Sequence, residues 1–373
     1  MHGKDRHGFA GRHASHRFVI AIVLAGVTAS STLSAQPTVP TVTLSRPEVE
    51  FKDGFSSIRG FRELSDGRVI VSDQRENRVV LIDFARGTAT PVGRKGQGPD
   101  EYNINLELHA MKGDTTYLTD IERRFLVITP TGGTAGTRRF PEGVSSSPSA
   151  IDRDGRAYFP PVFFSTNGQP ADSAPFVRVD LRSGKADTLM FRQPPPRRDP
   201  AAPVNPYGPR DLWVVAPDGR IARITVEDYR VTWYESDGRV SQGTPIPYVK
   251  IPVVARDREE HRQLLRRNPG VGTGRASTSG TAPPPIKEEW PTHKPPFVGN
   301  AALAAPSGEL WIQRTLAAGE RNPLYDVIDR SGRLVRHVVL PPDTRVIGFG
   351  AKSVYLARFD DVDLMYLQRH AMP

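Results

Sequence analysis

The chain has 373 residues, of which 38% are hydrophobic and 24% charged. This is enough apolar material for one large all-β domain or for two or three average domains. It contains no cysteine, which excludes disulfide bonds, thiolate metal sites and a lipid-modified cysteine. The formal net charge is +9, and it falls to +6 without residues 1–35. Such an excess favours anionic partners without requiring nucleic acid.

The N-terminus has the pattern of an export signal. Basic residues precede the apolar run FVIAIVLAGVTASSTLSA, which is too short to span a membrane comfortably. Small residues up to Ala35 predict cleavage after that position, so residues 1–35 are interpreted as a signal peptide. An uncleaved anchor is the alternative. The sequence therefore predicts a soluble exported protein, periplasmic or extracellular.

Short alternating runs bounded by Gly, Asp or Pro fill most of the chain and are typical of strands joined by tight turns. A turn glycine followed by a β-branched or aromatic run recurs at Gly67, Gly113, Gly155, Gly219, Gly308 and Gly350. Three of the five gaps are 42 to 46 residues long, which is the spacing of a propeller blade. The two longer gaps contain insertions. Each of the first five units has a second turn, so each predicts four antiparallel strands, or one blade.

These repeats predict an all-β fold, a six-bladed β-propeller in a single domain of residues 36–373. We expect the blades at residues 55–98, 104–141, 148–192, 210–248, 298–341 and 344–372. The sixth unit ends before its outer strand, and residues 41–51 form a spare N-terminal strand. Pairing the two closes the last blade and removes two exposed edges. The insertion at 250–296, between blades four and five, combines one short helix (255–267) with flexible linker composition.

The first blade resembles a known family. Residues 64–102, with the run SDGRVIVSDQRENRVVLIDFARGTATPVGRKGQGPDEY, resemble an NHL-type repeat. A second strand ends in Asp, a small polar loop follows, and a Gly-x-x-Gly-x-Gly-Pro link leads to the next blade. The chain is also similar to exported bacterial six-bladed propellers that carry one such link. The resemblance implies the fold and very little about activity, because function sits on loops grafted onto folds.

The stretch GRKGQGPDEY, from Gly93 to Tyr102, raises the question of a phosphate site. Phosphate-binding loops and dinucleotide fingerprints need a helix after their glycines, so that its N-terminus faces the anion. Here Pro99 and two acids follow Gly98, and the next element has the pattern of a strand. We interpret the stretch as a bend between blades. The alternative is that Arg94 and Lys95 contact an anionic ligand.

All long loops fall on one face of the predicted ring, because second-to-third strand loops and links between blades share a face. Loops of this length are uncommon in a compact domain unless they serve function or are disordered. We expect this face to bind a partner, namely a protein, an acidic glycan or another anionic envelope component; tolerated surface insertions are the alternative. The candidate contacts are Arg94, Lys95, Tyr102, Arg123, Arg124 and Trp290, with further basic residues Arg197, Arg198, Arg266 and Arg267 in the insertions. Nucleic acid is not expected, because the arginine pairs lie in Pro-rich loops rather than among aromatic residues.

No constellation identifies a catalytic site, so the favoured function is a non-catalytic recognition or scaffold module without a cofactor. The alternative is a metal-dependent hydrolase or lyase at the mouth of the central channel. Its candidate calcium or zinc ligands are Asn105, His109, His293 and Asn300. A catalytic zinc usually needs three protein ligands, and no third histidine is placed to serve. Asp73 and Asp120 end second strands at equivalent positions, which predicts that they cap the following loops rather than act as paired acids.

Overall fold

The computed structural model describes residues 39–144, 146–163, 171–194, 202–208, 210–267, 287–299 and 301–373. The predicted signal peptide, the linker after the helix, Arg197, Arg198 and Asn300 lie outside the described residues. The side chains of residues 264–267, which include Arg266 and Arg267, lie outside them too.

The described strands form six antiparallel blades, each built outward in chain order from the central channel. This is the predicted six-bladed β-propeller. The inner strands are Ile58–Glu63, Asn105–Ala110, Ala150–Ile151, Leu212–Val215, Ala302–Ala304 and Thr344–Phe349. The second strands are Val69–Asp73, Thr116–Asp120, Arg156–Phe159, Ile221–Thr225, Leu310–Gln313 and Ser353–Phe359.

The outer half of each blade completes the sheet. The third strands are Arg78–Asp83, Arg124–Ile128, Ala174–Asp180, Arg230–Tyr234, Leu324–Ile328 and Met365–Ala371. The outer strands of the first five blades are Thr88–Pro91, Thr134–Arg139, Ala186–Arg192, Val240–Gln242 and Leu334–Val339. A short 3-10 turn, Lys112–Asp114, joins the first two strands of blade two.

Burial follows from the stacking of blades face to face. Second strands such as Val69–Asp73 are buried at every residue, because a neighbouring blade covers each face. The outer strand Thr88–Pro91 is exposed at every residue. The apolar core divides into six clusters, one at each interface between neighbouring blades, including the interface of blade six with blade one. The ring is therefore closed by side-chain packing.

As predicted, the N-terminal segment supplies the outer strand of blade six, but it also adds a strand to blade five. The single strand predicted over residues 41–51 is two short strands. Thr41–Thr43 pairs in parallel with the outer strand of blade five, and Val49–Glu50 pairs antiparallel with the third strand of blade six. Pro47 lies between them, where the chain passes from one blade to the next and a residue without a backbone N–H interrupts no ladder.

The helix of the insertion between blades four and five spans Ala255–Arg267. Its first turn is capped by Asp257, whose Oδ2 accepts the Val254 N–H at 2.8 Å. The insertion joins the link between blades three and four through a backbone bridge of Glu288 to Val204. Within the described part of the chain, no helix has the length and apolar composition needed to cross a membrane.

Candidate functional site

The chain topology sorts the connections onto two faces. We call the face with the second-to-third strand loops and the links between blades the loop face. The opposite face, with the first-to-second and third-to-fourth strand turns, is the turn face. The two insertions emerge on the loop face, since both follow outer strands.

Exposed apolar side chains are concentrated on the loop face. Among the described residues, the large hydrophobic side chains that remain exposed number eight, and seven of them lie in loops, links or strand ends of that face. These seven are Ile121, Val162, Phe191, Val249, Val254, Val298 and Val362. The eighth, Val240, begins the outer strand of blade four at the turn face. The described residues therefore expose large apolar groups mainly on one side of the ring.

The glycine link, residues 93–102, folds around the guanidinium group of Arg124. Its short strands Arg94–Lys95 and Glu101–Tyr102 pair in parallel. The Arg124 guanidinium donates hydrogen bonds of 3.0–3.4 Å to backbone carbonyls of the link, those of Gly96, Gln97, Gly98 and Glu101. A phosphate cradle would present amides to the ligand. Here the carbonyls converge, as a bend wrapped around an arginine requires.

Asp120 and Asp73 hold the starts of inner strands against the ends of second strands. The fully buried Asp120 carboxylate accepts the Asn103 and Ile104 N–H groups at 3.1 Å and the Arg124 Nε–H at 2.9 Å. In the equivalent place in blade one, Asp73 accepts the Ser56 N–H at 2.8 Å. Each also accepts an N–H of the loop that follows it. Both carboxylates thus act as caps.

The link presents only part of the predicted contact set to solvent. Arg94 and Lys95 are exposed, and the Arg94 Nε lies 2.6 Å from Glu101. Tyr102 is buried, where desolvation raises its pKa and its hydroxyl accepts the Val79 N–H at 3.1 Å. Tyr102 and Arg124 are therefore scaffold residues, unavailable to an external ligand in this structure, because burial and internal hydrogen bonds engage them.

Two further contact candidates have internal partners as well. The Arg123 guanidinium donates to the Val144 carbonyl of the link between blades two and three. Trp290 packs edge-on against Tyr207 at 5.7 Å and against His261 at 5.4 Å between ring centroids. It belongs to a small core that joins the two insertions. Its role as a ligand contact stays a prediction.

Three of the four proposed metal ligands lie among the described residues, and the structure does not bring these three together. Asn105 is buried and donates to the Asp73 and Arg78 carbonyls. His109 is buried beside the channel with its Nε2 2.9 Å from the Thr119 hydroxyl, and desolvation lowers its pKa to about 4. His293 lies in the insertion, bridged to Pro252. Within the described ranges, no group of three or more His, Asp or Glu side chains is disposed to hold a metal ion.

The central channel forms a cavity of about 1130 Å³ lined by residues of all six blades. Near its loop-face end, Arg59 and Glu107 of adjacent inner strands form an ion pair of 2.8 Å. Desolvation in the channel wall raises the pKa of Glu107. Trp213 presents part of its ring to the channel, and the Arg192 guanidinium stacks 4.2 Å from the centroid of that ring.

Two buried clusters were not predicted, because their members are far apart in sequence. In the first, a buried ion pair of Lys294 with Asp257 anchors the helix, and Lys294 Nζ donates to the Leu316 carbonyl of blade five at 2.7 Å. In the second, Asp326 accepts from Tyr229 at 2.6 Å and pairs with Arg314 and His337. The burial of these charged side chains is the feature that identifies both clusters. The sequence does not show burial, so it gives no signal for either cluster.

The same architecture occurs in solved structures of low sequence identity. A member of the DUF4221 family from Bacteroides vulgatus has a TM-score of 0.51 and 10% identity, with 88% of this chain and 98% of that chain covered. A candidate exported protein from Bacteroides fragilis has a TM-score of 0.48 and 11% identity, covering 90% and 99%. A virginiamycin B lyase from Staphylococcus aureus has a TM-score of 0.40 and 12% identity, covering 87% of each chain. At these identities the likeness is one of fold.

No protein-family model matches this sequence, and no curated protein matches it. The NHL-type repeat therefore stays a resemblance, carried mainly by residues 64–102.

Proposed function

We propose that the protein is an exported β-propeller that recognises a protein partner on its loop face. The observation that carries this proposal is the one-sided distribution of exposed apolar side chains. Among the described residues, seven of the eight exposed large hydrophobic side chains lie on the loop face, although its loops are otherwise rich in charged and polar residues.

Single exposed apolar residues are ordinary on protein surfaces, so their distribution is what matters. Ile121 is 51% exposed in blade two, Val362 is 74% exposed in blade six, and Val249 is 80% exposed after blade four. Covering one such side chain in an interface contributes roughly 1–2 kcal/mol. A surface that spans several blades suits a folded partner better than a small ligand.

The ion pairs of the loop face also favour a protein over a polyanion. Three of its basic side chains have acidic neighbours: Arg94 pairs with Glu101, Arg256 with Glu260 and Arg321 with Asp343. Paired charges create little net field. Apolar contacts surrounded by satisfied polar groups are typical of protein interfaces.

Export rests on the N-terminal sequence pattern. The basic start, the short apolar run and the small residues before Ala35 are the features of a cleaved signal peptide. We place the partner in the periplasm or outside the cell for the same reason.

The test compares matched surface variants of the tagged full-length chain in its native host. Partners would be stabilised by brief chemical crosslinking of intact cells, recovered through the tag and identified by mass spectrometry. We expect one dominant partner with the wild-type protein and with Val240→Ser, whose site lies on the turn face. The Ile121→Ser/Val362→Ser variant should lose most of it. Equal recovery by all three proteins would contradict the proposal, provided that circular dichroism shows each variant folded.

The alternative, a metal-dependent hydrolase or lyase, is tested by elemental analysis of residues 36–373 purified without chelators. Stoichiometric calcium or zinc that is lost in both His109→Ala and His293→Ala would favour the enzyme. If the protein is instead a recognition module, neither substitution changes the metal content.

A further inference from the structure

The turn-face end of the central channel lies on the side of the ring opposite to the loop face. With a volume of about 1130 Å³, the cavity is large enough for a small organic molecule, since ligand pockets usually measure roughly 300–1,000 Å³. Part of its wall is apolar: half-buried Phe61, Leu108, Met111, Trp213, Leu303 and Phe349 line it. A cavity with such walls favours a ligand with an apolar body.

Two cations lie where this cavity opens at the turn face. Lys112 follows the inner strand of blade two and Arg153 that of blade three, and both line the cavity and are exposed. In the described part of the chain neither forms an ion pair. Arg153 extends across the opening: its backbone N–H donates to the Pro217 carbonyl of blade four, and its guanidinium donates to the Pro306 carbonyl of blade five.

The acidic side chains near this opening already have partners. Asp152 accepts the Arg156 Nε–H at 2.7 Å and the Tyr158 hydroxyl at 2.8 Å. Glu63 accepts the Tyr355 hydroxyl at 3.0 Å.

A third acid, Asp114, lies 3.4 Å from Arg62 and also accepts the Ser65 N–H at 3.0 Å. An incoming anion therefore meets the two donors of Lys112 and Arg153 without having to displace a carboxylate from either. Charge-assisted bonds from an arginine fork and an ammonium suit the two oxygens of a carboxylate.

We propose that the turn-face end of the channel binds a small carboxylate with an apolar body, such as a medium-chain acyl acid. Its carboxylate contacts Lys112 and Arg153, and its apolar part lies in the channel against Trp213 and Phe349. The ligand enters from the face opposite to the proposed partner surface. The proposal does not depend on the loop-face interaction, and either can fail alone.

Octanoate is the first probe, with octanamide and acetate as matched ligands that lack the charge or the apolar body. Isothermal titration calorimetry on residues 36–373 should show saturable 1:1 binding of octanoate and at least tenfold weaker binding of the other two. Quenching by 8-bromooctanoate, measured by tryptophan fluorescence, should be largely lost in Trp213→Phe. Equal affinity for octanoate and octanamide, or no saturable binding of octanoate, would overturn the proposal.

The variants Lys112→Gln and Arg153→Gln test whether the octanoate carboxylate binds to these two side chains. Each should weaken octanoate binding about tenfold, the effect of removing one charge-assisted hydrogen bond. Lys185→Gln, an exposed turn-face lysine that does not line the cavity, is the control and should bind as the wild type does. Arg153→Gln also removes the contact to Pro306, so Lys112→Gln is the decisive variant if Arg153→Gln is unstable. Unchanged affinity in Lys112→Gln would contradict the site.

Discussion

At the scale of single residues, Arg124 shows how a basic side chain in a glycine-rich setting can be structural. Its Nε–H serves the buried Asp120 carboxylate, while its terminal nitrogens serve four carbonyls of the glycine link. The Asp120 carboxylate and the carbonyls of the link are served together by several N–H donors in one fixed plane, which only a guanidinium group supplies. The sequence shows the glycines and the arginine but does not show that they meet.

Arg124→Ala should destabilise the protein by about 2–3 kcal/mol, because it leaves a buried carboxylate without its ionic partner. Arg124→Lys should recover about half of the loss, since an ammonium cannot serve both partners. Urea unfolding measures both. Arg94→Ala is the control and should change the unfolding free energy by less than about 0.5 kcal/mol, because its side chain is 82% exposed. Equal losses for Arg124→Ala and Arg94→Ala would contradict the scaffold role.

His109 makes the stability depend on pH. Burial lowers its pKa from 6.5 to about 4, so the folded protein keeps it neutral in a range where the unfolded chain binds a proton. Stability is therefore lost as the pH falls from 6.5 towards 4, and this group has no effect above about pH 7. Between pH 7 and pH 5 the contribution is about 2 kcal/mol.

His109→Gln should remove this excess acid sensitivity while keeping a hydrogen-bonding group near Thr119. His293→Gln, the same substitution at an exposed histidine, is the matched control. The measurement is the unfolding free energy of the wild type and both variants at pH 7 and at pH 5. If wild type and His109→Gln lose the same stability on acidification, His109 is not the group responsible.

At the scale of elements, blades four and five approach each other closely at a pair of glycines. A Cβ built on Gly243, which follows the outer strand of blade four, would lie 2.9 Å from the Gly332 Cα in a turn of blade five. Backbone on both sides leaves nothing flexible to move. This contact fixes how closely blades four and five approach on the turn side of their interface.

Gly243→Ala should therefore separate these blades and lower the unfolding free energy by about 2 kcal/mol, the usual cost of overpacking. Gly133→Ala is the control, because a Cβ there meets no atom closer than the Thr129 hydroxyl at 3.4 Å. In thermal unfolding, the melting temperature should decrease clearly in Gly243→Ala and change little in Gly133→Ala. Indistinguishable melting temperatures would mean that the interface adapts without strain.

At the scale of the whole molecule, the sequence predicts the blades well, because local turn chemistry repeats at blade spacing. Gly67, Gly113 and Gly308 have positive φ angles at first-to-second strand connections, as the pattern indicates. The N-terminal segment was less predictable, since both ends of residues 41–51 have strand composition and only the three-dimensional partners assign one end to blade five and the other to blade six. The sites were least predictable. Only burial shows that Tyr102 is not a surface contact, and only the arrangement of the blades shows that Lys112 and Arg153 line the same cavity.

The asymmetry between the two faces is the property of the whole ring on which the proposed function depends. A partner that covers the loop face must contact positions in blades two and six together, while the turn face stays free. A photoreactive amino acid placed singly at Ile121, Val362 or Val240 in the full chain, in living cells of the native host, tests this most directly. We expect covalent products with the same partner from Ile121 and Val362 and none from Val240. Products from Val240 alone, or none from either loop-face position, would contradict a partner surface on the loop face.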